Sequence, residues 1–195
     1  MKQAEIDFFD RMAPVWDSQE VNSTPERVRR ILSLMPWCGS MRVLDLGTGT
    51  GVLVPYLAGM GAEVVAVDAS DGMLEQARAK YGDMPGVEFR KSDFEDDRLD
   101  GRFDRVMLYS VYPHLHHPEA TLRRLLRDNV AEGGDIVIAF PSDEKFINAI
   151  HRHRKAESDP LPSAESLARR IRGWGMCADV LAATTEAYVV RVSNS

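Results

Sequence analysis

Val43-Leu44-Asp45-Leu46-Gly47-Thr48-Gly49-Thr50-Gly51 decides the fold class of this 195-residue chain. A short apolar run breaks into three alternating glycines and then into a helical period, so the segment reads as a strand, a tight turn and the start of a helix. Glycine in the turn lets the backbone take left-handed angles and come close to a ligand, and a helix N-terminus adds free amide donors. A nucleotide-like ligand fits such a turn. The spacing is Gly-x-Gly-x-Gly, and Val52 stands where a dinucleotide fingerprint wants its third small residue, which counts against a nicotinamide cofactor. Asp45, two residues before the first glycine, would repel a pyrophosphate and suits a cation better; its plainer reading is a turn-stabilising acid.

Working outward, apolar runs alternate with helical periods, the signature of βαβ units closing a parallel sheet. Strands are expected at 42–46, 63–67, 87–90, 103–109 and 135–140, with helices at 51–60 and 71–80. A further helix opens at Pro118, carries Leu122, Leu125, Leu126 and Val130, and ends at Gly133-Gly134. Pro141-Ser142 caps another, with Phe146, Ile147 and Ile150 on its core face; 159–162 is a linker; Ser163 caps the last helix, ended by Gly173. Runs 176–181 and 188–192 are too close for a crossover helix and should pair antiparallel as a terminal hairpin. Upstream, Ile6, Phe9, Ala13 and Trp16 mark an amphipathic helix near 3–13, and Thr24-Pro25-Glu26 caps a second bearing Val28, Ile31, Leu32 and Met35.

Composition sets the class. Hydrophobic residues at 44% and charged residues at 28% describe an ordinary globular chain of one domain, and a net charge of -6 disfavours a surface built for nucleic acid. The basic run His151-Arg152-His153-Arg154-Lys155 is the exception, read first as a solvated helix face and second as an RNA contact. No stretch is long and apolar enough to span a membrane, and Met1 to Glu5 lacks a signal-peptide layout, so no membrane partner and a cytoplasmic location are expected. Cys38 and Cys177 have no ligand pattern around them; reduced thiols and no metal are expected.

Asp68 closes the second strand, where an open parallel sheet presents an acid to ribose hydroxyls. Ala69 and Met73 follow as candidate apolar contacts for a purine, although Met73 alone would more often be core. Asp93 is placed to accept from an adenine amino group, with Phe94 offering a backbone amide; taken alone, Asp93 is a loop acid beside Asp96 and Asp97. Together, Val43 to Gly51, Asp68 and Asp93 resemble the successive cofactor-binding motifs of the class I S-adenosylmethionine (SAM)-dependent methyltransferases, over roughly residues 40–193. The resemblance implies a seven-stranded Rossmann-like α/β sheet, mostly parallel with an antiparallel C-terminal hairpin and helices on both faces. It implies SAM bound by Asp45, Gly47, Thr48, Gly49, Thr50, Gly51, Asp68, Ala69, Met73, Asp93 and Phe94, with S-adenosylhomocysteine as product. Tyr109 and Ser110, ending strand four, should lie beside the methionyl group and the acceptor.

Phe9-Asp10-Arg11-Met12-Ala13-Pro14-Val15-Trp16-Asp17 is similar to the opening of small-molecule methyltransferases related to the quinone-modifying enzymes, where that segment folds over the cofactor. Trp16 is then a lid residue, or equally a core anchor for the first helix. The implied layout is a helical lid over 1–40, a cofactor-binding core over 41–140, a substrate-side insertion over 141–162, and the last helix with its hairpin over 163–195. A lid of this kind, residues 111–117 and the insertion should together roof a small-molecule pocket.

Methyl transfer from a sulfonium needs chiefly alignment and exclusion of water, and a base only where the acceptor must lose a proton. His114, His116 and His117 follow strand four, and one of them is a candidate general base; the plainer reading makes all three loop and capping residues beside Pro113 and Pro118. A histidine metal site lacks a completing carboxylate or cysteine. After strand four there is no Asn/Asp-Pro-Pro-aromatic run, no cysteine for attack on a pyrimidine and no glutamate pair for a guanidinium. A small molecule is therefore the best remaining acceptor, used by a monomer or homodimer. The alternatives are a non-catalytic SAM-binding or regulatory module, an RNA-directed methyltransferase and, last, a nicotinamide oxidoreductase.

Overall fold

The computed structural model describes residues 3–19, 22–154 and 159–194. Met1, Lys2 and Lys155 of the stretches discussed above lie outside the described residues, as do the side chains of His153 and Arg154. Chain order is α1 (Gln3–Met12), a 3-10 turn (Ala13–Val15), α2 (Trp16–Gln19), α3 (Pro25–Leu32), β1 (Arg42–Leu46), α4 (Val54–Gly59), β2 (Glu63–Asp68), α5 (Asp71–Tyr81), β3 (Val87–Lys91), β4 (Phe103–Tyr109), α6 (Pro118–Asp128), β5 (Val130–Phe140), α7 (Glu144–Arg154), α8 (Ala164–Gly173), β6 (Cys177–Thr184) and β7 (Ala187–Ser193). The strands form one seven-stranded sheet in the order β3-β2-β1-β4-β5-β7-β6. β1 to β5 run parallel, and β7 inserts antiparallel between β5 and β6. The mixed sheet and its antiparallel terminal pair are as the resemblance implied.

Alternation along the buried strands splits the core into two layers. Leu44, Leu46, Val106, Leu108, Ile136 and Ile138 pack on one face against Leu122 and Leu125 of α6 and Leu167 and Ile171 of α8. Val43, Val64, Met107, Val137 and Val189 pack on the other against Val28, Ile31 and Leu32 of α3 and Val54 and Leu57 of α4. Strand order reverses between β1 and β4, so their carboxyl ends diverge and open a crevice there.

Four boundaries differ from the expectation. α6 stops at Asp128, and Val130, expected on its inner face, begins β5. The Asn129 side-chain amide donates to the carbonyls of Leu99 and Gly101, which ends the helix early; Gly133, in a left-handed conformation, and Gly134 then form a register irregularity within β5. α4 starts at Val54 rather than at residue 51, because the turn from Thr48 continues through Leu53. At α7 the Asp143 carboxylate accepts from the Phe146 amide, while Ser142 is buried and accepts from Arg27; Phe146 itself is exposed. At the end of α8, Gly173 is helical, and Gly175 is the residue with positive φ.

Arg105 and Asp135 face each other across β4 and β5, both buried, joined by two bonds of 2.6 and 2.8 Å. The guanidinium also donates to the Pro36 carbonyl and lies over the Trp37 ring at 4.6 Å, tying the segment before β1 to the sheet. Breaking a buried pair strands a charge, at a cost of about 3–5 kcal/mol. Arg105→Met should lose about that much in urea unfolding; a loss under about 1 kcal/mol would show that water reaches Asp135.

Candidate functional site

A cavity of about 350 Å³ occupies the crevice at the β1/β4 divergence. Its floor is the glycine turn. Gly47, Gly49 and Gly51 all have positive φ, and a Cβ on Gly47 would stand 2.5 Å from a Val111 methyl, whereas one on Gly49 would meet nothing within 4 Å. Gly47 is thus glycine for packing and for backbone angle, and Gly49 leaves room above the turn. The amides of Gly47 and Thr48 donate to the Val67 carbonyl, that of Gly49 to Asp68, and that of Gly51 to the Thr48 carbonyl. These donors are spent inside the protein, so the turn is not an anion nest; an open cradle beside acids is what the expectation of a cationic ligand requires.

Two acids stand at the ends of β1 and β2. Asp45 is buried and accepts from the Thr48 hydroxyl at 2.6 Å; burial pushes its carboxyl up to about 7, the Thr48 bond opposes the rise, and the charge of Asp68 adds to it. Asp45 does not line the cavity, but Thr48 above it does. Asp68 lines the cavity and accepts from the amides of Gly49 at 2.8 Å and Ser70 at 2.9 Å, one per oxygen; burial raises its pKa against those bonds. The Ala69 amide adds a third bond, which still leaves the carboxylate acceptor capacity for a hydroxyl donor. Ala69, Met73 and Phe94 form an apolar wall beside it. Asp93 lies outside the lining, its carboxylate accepting from the Glu95 amide at 3.2 Å.

The N-terminal segment closes this half. Asp10 accepts from the Ser70 hydroxyl at 2.5 Å and the Gly72 amide at 2.9 Å, bonds that hold its carboxyl below the usual range. Asp17 accepts from the Thr50 hydroxyl at 2.5 Å and pairs with Lys80 at 2.8 Å; burial works against its ionisation, but these bonds outweigh it and lower the pKa. A Cβ on Gly72 would stand 3.0 Å from the Asp10 carbonyl, so α1 packs on α5 at a distance that a side chain at residue 72 would push back by a few tenths of an ångström. Trp16 lines the cavity edge-on to Phe9, ring centres 5.6 Å apart.

Ser110 turns the other half: its φ of +61° is the only positive value outside glycine among the described residues. A strain of order 1–3 kcal/mol is held where the chain swings Val111 and His114 over the crevice. This half is lined by Tyr56, Tyr109, Phe140, Ile147, Ile150 and two imidazoles, His114 and His151, whose rings lie 5.4 Å apart. The Tyr109 hydroxyl shares a 3.1 Å bond with Ser23. His116 and His117 are exposed and outside the lining; Glu95 gathers their backbone amides, the His116 ring and the Thr121 hydroxyl, so the capping there is done by the glutamate. His151 is the residue that sequence reasoning misplaced, since the basic run around it suggested a solvated face. Its spacing of four from Ile147, three after Glu144 opens α7, was the available signal.

Comparison with known proteins bears on this geometry. A family model described as a methyltransferase domain matches residues 43–134. The chain is 35% identical over 136 residues to a demethylmenaquinone methyltransferase of Clavibacter sepedonicus, covering 67% of this chain and 55% of that one. It is 30% identical over 159 residues to a trans-aconitate 2-methyltransferase of Methylobacterium nodulans, covering 78% and 59%. The chain therefore spans a little over half the length of these two relatives. The solved DhpI–SAH complex superposes with a TM-score of 0.78 at 22% identity, covering 97% of this chain and 95% of that one, a likeness of fold.

The raised pKa of Asp45 is also a statement about stability. With the folded value near 7 and the free value near 3.8, its contribution to folding is whole below pH 4 and is lost as pH rises to 7. Asp45→Asn should accordingly raise the thermal midpoint of the free protein at pH 8 but not at pH 4. Equal differences at the two pH values would contradict a buried, water-excluded carboxylate.

Proposed function

Because the chain belongs to the class I SAM-dependent methyltransferases, we propose that it transfers a methyl group from SAM to a small, largely apolar acceptor. The observation that carries this reading is one cavity with two halves, an acid-flanked glycine turn and an aromatic, imidazole-bearing chamber. Bound SAM supplies a methyl group already activated on a sulfonium and departs as S-adenosylhomocysteine. The turn at 47–51 and Thr48 over Asp45 would hold its cationic amino-acid end, the carboxylate acting through the hydroxyl and its field. Asp68 would take the ribose hydroxyls, and Ala69, Met73 and Phe94 the purine. Asp93, outside the lining, is left to its loop.

Among the described residues the acceptor chamber has no arginine, and the one lysine of the lining, Lys80, is engaged by Asp17. A polyanionic acceptor would enter without a counter-charge, whereas an apolar molecule with one weakly acidic group would find aromatic walls and an imidazole. His114 is the base of choice over His116 and His117, being the one of the three on the cavity. The N-terminal segment, α7 and residues 111–114 exclude water while Tyr109 and Ser110 border the reacting centre. The relatives named for a demethylated quinone and for trans-aconitate give two acceptor classes to compare, and the lining favours the first.

Transfer of labelled methyl from SAM should be detectable to hydroxylated arenes or quinols and weak or absent to trans-aconitate. With an accepted hydroxyl compound, His114→Ala should lower kcat by about 10²–10⁴, while His116→Ala and His117→Ala leave it within a few fold. Binding of SAM without turnover of any acceptor would sink the enzymatic reading.

A further inference from the structure

His114 has an inner nitrogen with nothing to bond. Its Nδ1 is buried and without a hydrogen-bond partner, while the side chain as a whole keeps 17% of its surface exposed and lines the cavity. The ring is held edge-on to Phe9 at 5.5 Å and tilted against His151 at 5.4 Å. The nearest acid to Nδ1 is on another element: Oε1 of Glu5, on α1, lies 3.8 Å away, and the Glu5 side chain is 13% exposed. Its other oxygen, Oε2, lies 3.4 Å from His116 Nε2, and His116 is fixed in turn through Nδ1 by Glu95 at 3.1 Å. Glu5 therefore sits between two imidazoles, one facing the cavity and one facing solvent.

A buried ring N–H left unpaired costs about 1–3 kcal/mol, and an approach of roughly 1 Å by α1 would pair it. Hydrogen bonds of this kind are commonly long in the free state and shorten when the site fills. A neutral imidazole carries one proton, and the acceptor it meets decides which nitrogen holds it. Building on the methyltransferase reading above, we propose that Glu5 is a positioning residue: it takes the Nδ1 proton of His114 as a hydrogen bond, fixes the ring and leaves the Nε2 lone pair free toward the acceptor. Because Glu5 rides on α1, which Asp10 already seats on Ser70 and Gly72, the pairing forms by a further shift of that helix of about 1 Å. The groups facing His114 are then Glu5 from α1, His151 from α7 and, through Glu5, His116 with Glu95.

Nitrogen-15 shifts of the histidine rings, recorded on the whole chain with and without S-adenosylhomocysteine and assigned by the loss of signals in His114→Gln, test this directly. The wild type should show His114 protonated at Nδ1 and bare at Nε2. Glu5→Leu should move the Nδ1 signal toward the bare range, and Glu5→Gln, which keeps an acceptor oxygen, should preserve it. A purely structural role for Glu5 would leave the tautomer unchanged. A wild-type ring protonated at Nε2, a measurement that needs no variant to fold, overturns the proposal, as does an unchanged Nδ1 signal in Glu5→Leu. Absence of S-adenosylhomocysteine binding would instead sink the methyltransferase reading, leaving the Glu5–His114 pairing to be judged in the free protein.

Discussion

Keeping two carboxylates dry at the ends of adjacent parallel strands is the constraint around which this molecule is arranged. Asp45 and Asp68 are both buried, and burial raises both pKa values; the charge of Asp68 adds to the rise at Asp45, and that of Asp10 adds to the rise at Asp68. Isolated charges in such a place are expensive, and the chain spends a threonine hydroxyl and several amides on moderating that cost. The turn amides that might have held a phosphate are directed at Val67, Asp68 and Thr48. What remains facing the cavity is Asp68, the Thr48 hydroxyl over Asp45 and open space over Gly49.

Above that floor the closure is made of modest ties. The Asp17–Lys80 pair is largely exposed and worth at most about 1 kcal/mol, whereas Asp10, accepting from a hydroxyl and an amide, is worth somewhat more. Apolar contact through Phe9 and the buried Ala13 adds to these. The sum is a few kcal/mol, the scale of a local opening rather than of global unfolding. The same element carries Phe9 and Glu5 to the His114 ring.

Much of this is legible in the sequence alone. The strands from Arg42 to Phe140 announce themselves by apolar runs, and the short gap between the last two strands forced an antiparallel pair, as β6 and β7 form. The misreadings share a cause: local signals lost to tertiary partners. Gly133-Gly134 looked like a helix end, but Asn129, bonded to Leu99 and Gly101, had already ended it. The basic run at 151–155 looked solvated, but α7 turns His151 inward onto His114. Asp45 and Asp68 could be picked out by position, whereas the ties made by Asp10, Asp17, Glu5 and Glu95 join residues far apart in the chain, and no period or spacing announces such pairs.

The central claim is that the acid-flanked turn receives a cationic cofactor. Calorimetric titration with S-adenosylhomocysteine from pH 6 to pH 8 tests it most directly, since a carboxyl near 7 must lose its proton to engage an ammonium group. Affinity should strengthen with pH, approaching the one-proton limit of about tenfold per unit below pH 7 and flattening above it. No binding at any pH, or binding that weakens as the solution is made more alkaline through 7, would contradict the account.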